Sequence, residues 1–421
     1  MEKKELKEFK ELKKSIYKVL KDEFTRTGLR RAVSSFRKSR DKAISVFPYV
    51  EKEKEELIKT KDEVIDNFDK YIEKTLKTLE IQHVHAYYAP DATQALSIIK
   101  DIVGQGKRIV KGKSITTEEL DLNHHLEEWD NEVYETDLGE FIVQLLGSRP
   151  MHILAPAVNI PREKVAEIFS KLAGEELPPD PPKLTEFARK YLRDKFITAD
   201  IGISGANAIT ADTGSIFLIE NEGNIRFATN APDVHIVIAG IEKILPTFRD
   251  GARMVEVVSR YAGYLAMSYV SVISGPSKTG DIEKVVVYGA HGPRELHVIL
   301  LDNGRKEAAK DEIIKQALRC VRCGACMYEC PIYPLTTGYW GYKYMGGIGI
   351  PWTAYIAGGF EHAAPMAFAC TMCGRCVRYC PMEIDTPKIV GKIRKILKEK
   401  GYLPSFIKEM AEKVIKEGVP Y

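Results

Sequence analysis

The sequence predicts an α/β domain with a largely parallel sheet, set between a helical N-terminal region and an all-α C-terminal domain. Residues 1–80 show helical periodicity without strands, and residues 81–305 alternate short apolar runs with helical stretches. Every cysteine lies in the remaining segment, 306–421. A chain of 421 residues is long enough for two or three such domains and a sizeable core.

The N-terminal 80 residues are rich in Lys, Glu and Leu, with one proline, Pro48, and one glycine, Gly28. Leu6, Phe9, Leu12, Ile16 and Leu20 recur at spacings of three and four, the period of an amphipathic helix. From Phe24 to Arg40 the cations Arg26, Arg30, Arg31, Arg37, Lys38 and Arg40 stand without an acidic residue. Such a stretch is either a solvated helix face or a docking surface for an acidic partner subunit.

In the central region the candidate strands are Arg108–Val110, His152–Ala155, Ile201–Ile203, Ser215–Ile219, His235–Ile238, Lys284–Val287 and Leu296–Leu300. Helical patterns such as Asp91–Val103 and Arg162–Leu172 lie between them. The proline-rich stretch Glu176 to Lys183 reads as an exposed loop. Beyond residue 306 the strands stop, and helices at Lys310–Leu318 and Pro387–Lys400 flank the cysteines.

With 62 basic and 59 acidic residues the charge is nearly balanced, which argues against a nucleic-acid partner. Apolar runs such as Val234 to Ile241 fall short of the ~20 residues that span a bilayer. The N-terminus, MEKKELKEFK, has no apolar stretch behind its charges, so no secretory signal is expected. The expectation is a soluble, cytoplasmic protein without a transmembrane segment.

All eight cysteines fall between Cys320 and Cys380, in two groups of four. The first reads Cys320-Val-Arg-Cys323-Gly-Ala-Cys326-Met-Tyr-Glu-Cys330-Pro331, the second Cys370-Thr-Met-Cys373-Gly-Arg-Cys376-Val-Arg-Tyr-Cys380-Pro381. Both are C-x2-C-x2-C-x3-C-P, in which one loop brings three thiolates to one iron cube while the fourth cysteine ligates the other. Zinc sites use two CxxC pairs and need neither the third cysteine nor the proline. The motifs therefore predict two [4Fe–4S] clusters with crossed ligands. Cys320, Cys323, Cys326 and Cys380 would hold one, and Cys330, Cys370, Cys373 and Cys376 the other. The long insert between Cys330 and Cys370 suits an all-helical dicluster domain of the ferredoxin type better than a compact β-type ferredoxin.

At these residues, and in the stretches Lys111–Ser114, Thr116–Glu119, Glu135–Glu140, Ala199–Asn207, Thr213–Ser215, Asn221–Asn224, Gly240–Lys243 and His291–Gly304, the chain resembles lactate utilisation protein B. Longer members extend further past the last motif, and the Gly346–Gly349 stretch lacks a proline expected there. The resemblance implies that 81–305 is a LUD domain of the NagB/RpiA/CoA-transferase fold group. It also implies an iron–sulfur subunit of a system oxidising L-lactate, or a close 2-hydroxy acid, to pyruvate or its counterpart. Its partners would be a further cysteine-rich iron–sulfur subunit and a second LUD-type subunit, with membrane association only through them. The competing reading makes the α/β domain itself a catalyst on a CoA ester or phosphorylated ligand, with the clusters in a supporting or regulatory role. A third makes it a regulatory binding module.

Weaker signals complete the reading. Gly112-Lys113-Ser114 resembles the end of a phosphate loop, but the glycine required at 107 is Lys107. A milder anion site at Lys111 and Lys113 survives, before a helix expected to be capped by Thr116 with Glu119 closing a capping box. Asn221-Glu222-Gly223 resembles the glutamate-bearing turn of CoA transferases and also an ordinary hairpin turn. His83, His85, His124 and His125 lack an acidic or cysteine companion at ligand spacing and read as surface or core. The glycines at 346, 347 and 349 read as a close-packed turn. No residue is assigned a catalytic role, and no dinucleotide fingerprint follows a strand.

Overall fold

The computed structural model describes residues 7–418; Leu6, first in the predicted apolar stripe, lies outside them. Four helices open the chain, Lys7–Lys21, Glu23–Val46, Val50–Asp66 and Phe68–Ile81. The second begins where the Asp22 carboxylate accepts the Thr25 N–H at 2.9 Å, and it ends before Pro48, which disfavours helix in the residue preceding it. The basic stretch on this helix turns partly inward. Arg40 is buried 3.0 Å from Glu329, with Tyr379 beneath its guanidinium, and Arg37 reaches the same carboxylate.

The strands are β1 (His85–Ala89), β2 (Arg108–Lys111), β3 (Glu132–Glu135), β4 (Ile201–Ser204), β5 (Ala208–Thr210), β6 (Ile216–Glu220), β7 (Val234–Gly240), β8 (Ile244–Leu245), β9 (Tyr269–Ile273), β10 (Lys278–Thr279), β11 (Val287–Tyr288) and β12 (Glu295–Leu301). Six make an all-parallel sheet in the order β1-β12-β7-β4-β2-β3. Its central strands are buried on both faces, as a parallel sheet under helices requires. Ile236, Ile238, Ile299 and Leu301 face a core with Ile99 and Leu126, and the alternate residues Val237, Ala239, Val298 and Leu300 face the other way. A second sheet, β8-β5-β6-β9, packs beside the helix Phe248–Tyr261, which starts with a capping box between Thr247 and Asp250. Small β10 and β11 pair antiparallel.

Several expectations require correction. His152–Ala155 is not a strand, because the chain curls so that the Leu154 and Ala155 N–H groups both donate to the His152 ring. Of Lys284–Val287 only Val287 enters a strand. β1 and β3 escaped prediction because they are the two sheet edges, packed on one side and therefore without a continuous apolar run. The proline-rich loop ends at Asp180, since Pro181 and Pro182 occupy the first turn of a helix, where their missing N–H groups cost nothing. The glycines at 346, 347 and 349 form the first turn of the helix Gly346–Tyr355.

After β12, and apart from one bridge between Gly341 and Met345, the described chain is helical. The expected flank at Lys310–Leu318 is a tighter 3-10 turn, Ile314–Arg319, whereas Thr386–Glu399 is the α-helix foreseen. One apolar core joins Leu57 of the opening helices, Leu300 of the sheet, and Trp340 and Trp352 of the helical part.

At the junction of sheet and cysteine-bearing domain lies Arg305, wholly buried. Its guanidinium makes two hydrogen bonds to Glu119, at 2.6 and 3.0 Å, pairs with Glu242, and donates to the Asp302 carbonyl at 2.9 Å. Tyr344 donates its hydroxyl to the same Glu119. Removing one partner of a buried ion network strands the others without water or counter-charge. Arg305→Met should therefore lower stability by about 3–5 kcal/mol. The exposed Lys190–Glu186 pair offers the contrast, with Lys190→Ala leaving stability essentially unchanged. Anaerobic denaturation midpoints of the two variants check the difference.

Candidate metal centre

Both cysteine loops adopt one backbone pattern. The residue before the second cysteine is left-handed, Arg322 at φ 62° and Met372 at φ 54°, and so is the glycine after it, Gly324 at φ 79° and Gly374 at φ 77°. Left-handed non-glycine residues are costly and persist where surrounding contacts hold them. In both motifs a backbone N–H two residues past a cysteine points at its sulfur. Ile332 N–H donates to Cys330 Sγ at 3.3 Å and Met372 N–H to Cys370 Sγ at 3.4 Å. Each loop then enters a short helix, Ala325–Glu329 or Arg375–Arg378, that delivers its fourth cysteine beyond the loop.

The thiols converge on two cavities. Cys320, Cys323 and Cys326 border the first together with Cys380 of the other motif. Cys370, Cys373 and Cys376 border the second together with Cys330 of the first motif. Cys326 and Cys376 stand between the cavities and border both. Met345, Ile348 and Trp352 wall the first, Trp340 and Ile332 the second. In this apolar setting burial pushes the Cys330 and Cys380 thiols up to about 12 and raises those of Cys323 and Cys326 as well. Thiols so reluctant to ionise on their own suit bonding to iron, whose charge compensates several thiolates at once. The donor set fits cubane iron–sulfur centres.

Cations gather on the sheet side of the first cavity. The Arg322 guanidinium lies 3.7 Å from the Trp352 ring centroid and 4.6 Å from that of Tyr344. Lys61, lowered to about 8 by burial, donates to the Glu242 carbonyl at 2.6 Å. From Val321, Arg322 and Cys323 a cleft of about 330 Å³ opens into the α/β domain, past Lys243, Glu222, Asp137 and Lys113. It lies over the segments that follow β2, β4 and β7, the carboxyl ends where parallel sheets bind ligands. Burial lowers the Lys243 ammonium to about 8, and it has no hydrogen-bond or ion-pair partner among the described residues. Burial and the neighbouring Asp137 raise the Glu222 carboxyl, which accepts the Leu138 N–H at 3.1 Å.

The sequence-predicted anion site divides. Lys113 lines the cleft, 3.0 Å from Asp137, whereas Lys111 is buried against Glu135 at 2.7 Å and does not line it. The expected capping box is absent because Ser114, not Thr116, occupies the helix cap and Glu119 turns to Arg305. Asn221-Glu222-Gly223 joins a strand to the helix Asn224–Asn230 and is not a hairpin turn. Three of the four histidines do have acidic companions, whereas His83 packs against Tyr288. Glu128 lies 3.2 Å from His124 and 3.0 Å from His125, one helical turn along. His85 meets His297 and Glu295 across paired strands. Lys243 and Arg322 were not singled out as site residues. Position within Gly240–Lys243 and between two cysteines was the only signal they carried.

Comparison with known proteins adds the following. Residues 72–301 match the LUD domain family and residues 316–384 the 4Fe-4S dicluster domain family. The uncharacterized electron transport protein YkgF of Escherichia coli is 32% identical over 395 residues, covering 93% of this chain and 81% of that protein. Lactate utilization protein B of Bacillus thuringiensis is 33% identical over 403 residues, covering 95% and 83%. A solved DUF162 family protein from Deinococcus radiodurans covers 55% of this chain and 97% of its own, at 17% identity and a TM-score of 0.29.

The loop carrying Ile153 and Leu154 to the cleft depends on a neutral imidazole. His152 Nδ1 accepts N–H groups from Leu154 at 3.0 Å and Ala155 at 3.1 Å, and its ring packs parallel to those of Phe36 and Tyr328. Burial lowers His152 from 6.5 to about 3. The native state therefore binds the proton less readily than the unfolded one, and stability falls as pH drops from about 6.5 towards 3. Protonation at pH 5 should cost about 2 kcal/mol, fully absent at pH 8. Thermal midpoints at the two pH values should diverge more in the wild type than in His152→Gln, which keeps an acceptor but takes up no proton.

Proposed function

The chain belongs to the lactate utilization protein B family, and on that premise we propose that it is the iron–sulfur electron-transfer subunit of a multi-subunit dehydrogenase. The substrate is L-lactate or a close 2-hydroxy acid, converted to pyruvate or the matching 2-oxo acid. The observation that carries this reading is the pair of thiol-lined cavities with Cys326 and Cys376 in their common wall. We assign Cys320, Cys323, Cys326 and Cys380 to one [4Fe–4S] cluster, and Cys330, Cys370, Cys373 and Cys376 to the other. Two such clusters, when bound, supply a one-electron relay across that wall.

The chain's own residues prepare the setting. Trp352 and Ile348 shield the thiols of the first cavity and Trp340 walls the second, where Cys373 stays exposed, while Lys61, Lys243 and Arg322 place positive charge beside the first cavity. Oxidising a 2-hydroxy acid removes two electrons and two protons, work that usually falls to a flavin or nicotinamide. We assign that step to a partner, with a second cysteine-rich subunit and a second LUD-type subunit as the expected company. Among the described residues no helix is long and apolar enough to cross a membrane. We place the protein in the cytoplasm, reaching membranes through partners only.

The cleft supports a second reading, in which the α/β domain binds and transforms an acidic ligand itself. Its unpaired Lys243, its Glu222 with a raised carboxyl, and its opening at Cys323 favour this.

Two experiments test these readings. Anaerobically reconstituted protein should hold about eight irons and eight labile sulfides per chain. Cys330→Ser should then spoil the cluster of Cys370, Cys373 and Cys376 in paramagnetic resonance, leaving the other intact. Zinc without labile sulfide, or damage confined to the first motif, would overturn the assignment. The purified chain should not oxidise lactate with an artificial acceptor until its partners are added. Turnover by the chain stripped of iron, lost again in Lys243→Ala, would move the chemistry into the cleft.

A further inference from the structure

We propose that His85, Glu295 and His297 form a divalent transition-metal site of the zinc type, at the end of the parallel sheet opposite the cleft. β1 and β12 pair in parallel with His85 directly opposite His297, which sets the two imidazoles on one face of the sheet. Glu295 stands two residues before His297 on the same strand and so on the same face. Donor atoms of the three side chains lie within 4.8 Å of one another. The rings stack with centroids 4.7 Å apart, and Glu295 Oε2 is 3.5 Å from His297 Nε2.

An unpartnered nitrogen points to a ligand here. His297 is 6% exposed, and its Nε2 is buried without a hydrogen-bond partner. Buried polar atoms left so are rare. The other ring nitrogen, Nδ1, lies 3.4 Å from the Tyr87 hydroxyl. A metal-bound imidazole has this arrangement, one nitrogen on the metal and the other held by an outer hydrogen bond that fixes tautomer and orientation. Arg294 approaches the other oxygen of Glu295, Oε1, at 3.5 Å.

Two imidazoles and one carboxylate are a donor set that borderline divalent ions accept, with at least one coordination position left open. The open position has somewhere to lead. His85 is exposed and lines an open cleft of about 380 Å³ with Glu80, His83, Tyr288 and Arg294. The sheet separates this place from the cysteines, because His85 and Glu295 begin their strands while the cleft lined by Lys113 and Lys243 lies over strand ends. β1 is an edge strand, so an ion bridging it to β12 would fasten the edge as a clip.

The test uses the full chain with both clusters in place, under anaerobic conditions, dialysed against buffered Zn²⁺. About one zinc per chain should bind in excess of the iron, with iron content and visible spectrum unchanged. His85→Ala, which touches an exposed residue, and Glu295→Gln should each weaken zinc binding about tenfold or more. His124→Ala, on a separate helix, should bind as the wild type does. Zinc should raise the thermal midpoint of the wild type and not that of His85→Ala. The proposal is overturned if the cluster-loaded chain takes up no zinc, if both variants bind it undiminished, or if zinc enters only as iron leaves.

Discussion

Arg305 carries its charge where water does not reach, and that charge has to be answered from three directions. Glu119 answers from the helix after β2, Glu242 from the turn after β7, and the Asp302 carbonyl from the end of β12. Each of these points lies beyond the carboxyl end of a sheet strand, so the guanidinium ties three strand ends to one place. Once Glu242 is turned inward to Arg305, its neighbour Lys243 is directed into the cleft. Tyr344 hangs from Glu119, and Arg322 lies over both Tyr344 and Trp352. The first cysteine loop is thereby referenced to the sheet through a chain of charges and rings, without an intervening flexible linker.

A second set of contacts holds the same domain from the other side. Glu329 and Tyr379 are the residues immediately before the fourth cysteine of each motif, and Arg40 contacts both. The opening helices thus steady the two cysteines that each motif lends to the other's cavity. A cavity whose thiols come from both ends of the domain needs such bracing, because a small shift of Cys330 or Cys380 would break the set of four. The apolar core running from Leu57 through Leu300 to Trp352 serves the same end, leaving no surface along which the parts could slide.

What the sequence made legible follows from how local each signal is. The cysteine loops were readable because their conformation is written into one short repeat. The central strands β7 and β12 were readable because burial on both faces demands an unbroken apolar run. Edge strands β1 and β3 lack that demand, and the loop at His152 owes its shape to a ring accepting two N–H groups. Lys111 and Lys113 looked equivalent in sequence, yet Lys111 closes β2 and is buried against Glu135, while Lys113 lies past the strand's end and lines the cleft. The gathering of His85 with His297 was out of reach, since it requires knowing that the first strand of the sheet pairs with the last.

The polarity of the parallel sheet organises these features into a consistent arrangement. Every strand runs the same way, so its carboxyl ends share one edge and its amino ends the opposite one. The carboxyl edge collects Lys113, Lys243 and Glu119 and faces the first cysteine cavity, so any ligand admitted to the cleft comes to lie between the strand ends and Cys323. The amino edge collects His85 and Glu295 and faces solvent. The first cysteine cavity and the cleft therefore share one side of the sheet. The other side can be fastened without disturbing them, because the whole depth of the buried sheet, Ile236 to Ala239 and Val298 to Leu300, lies between.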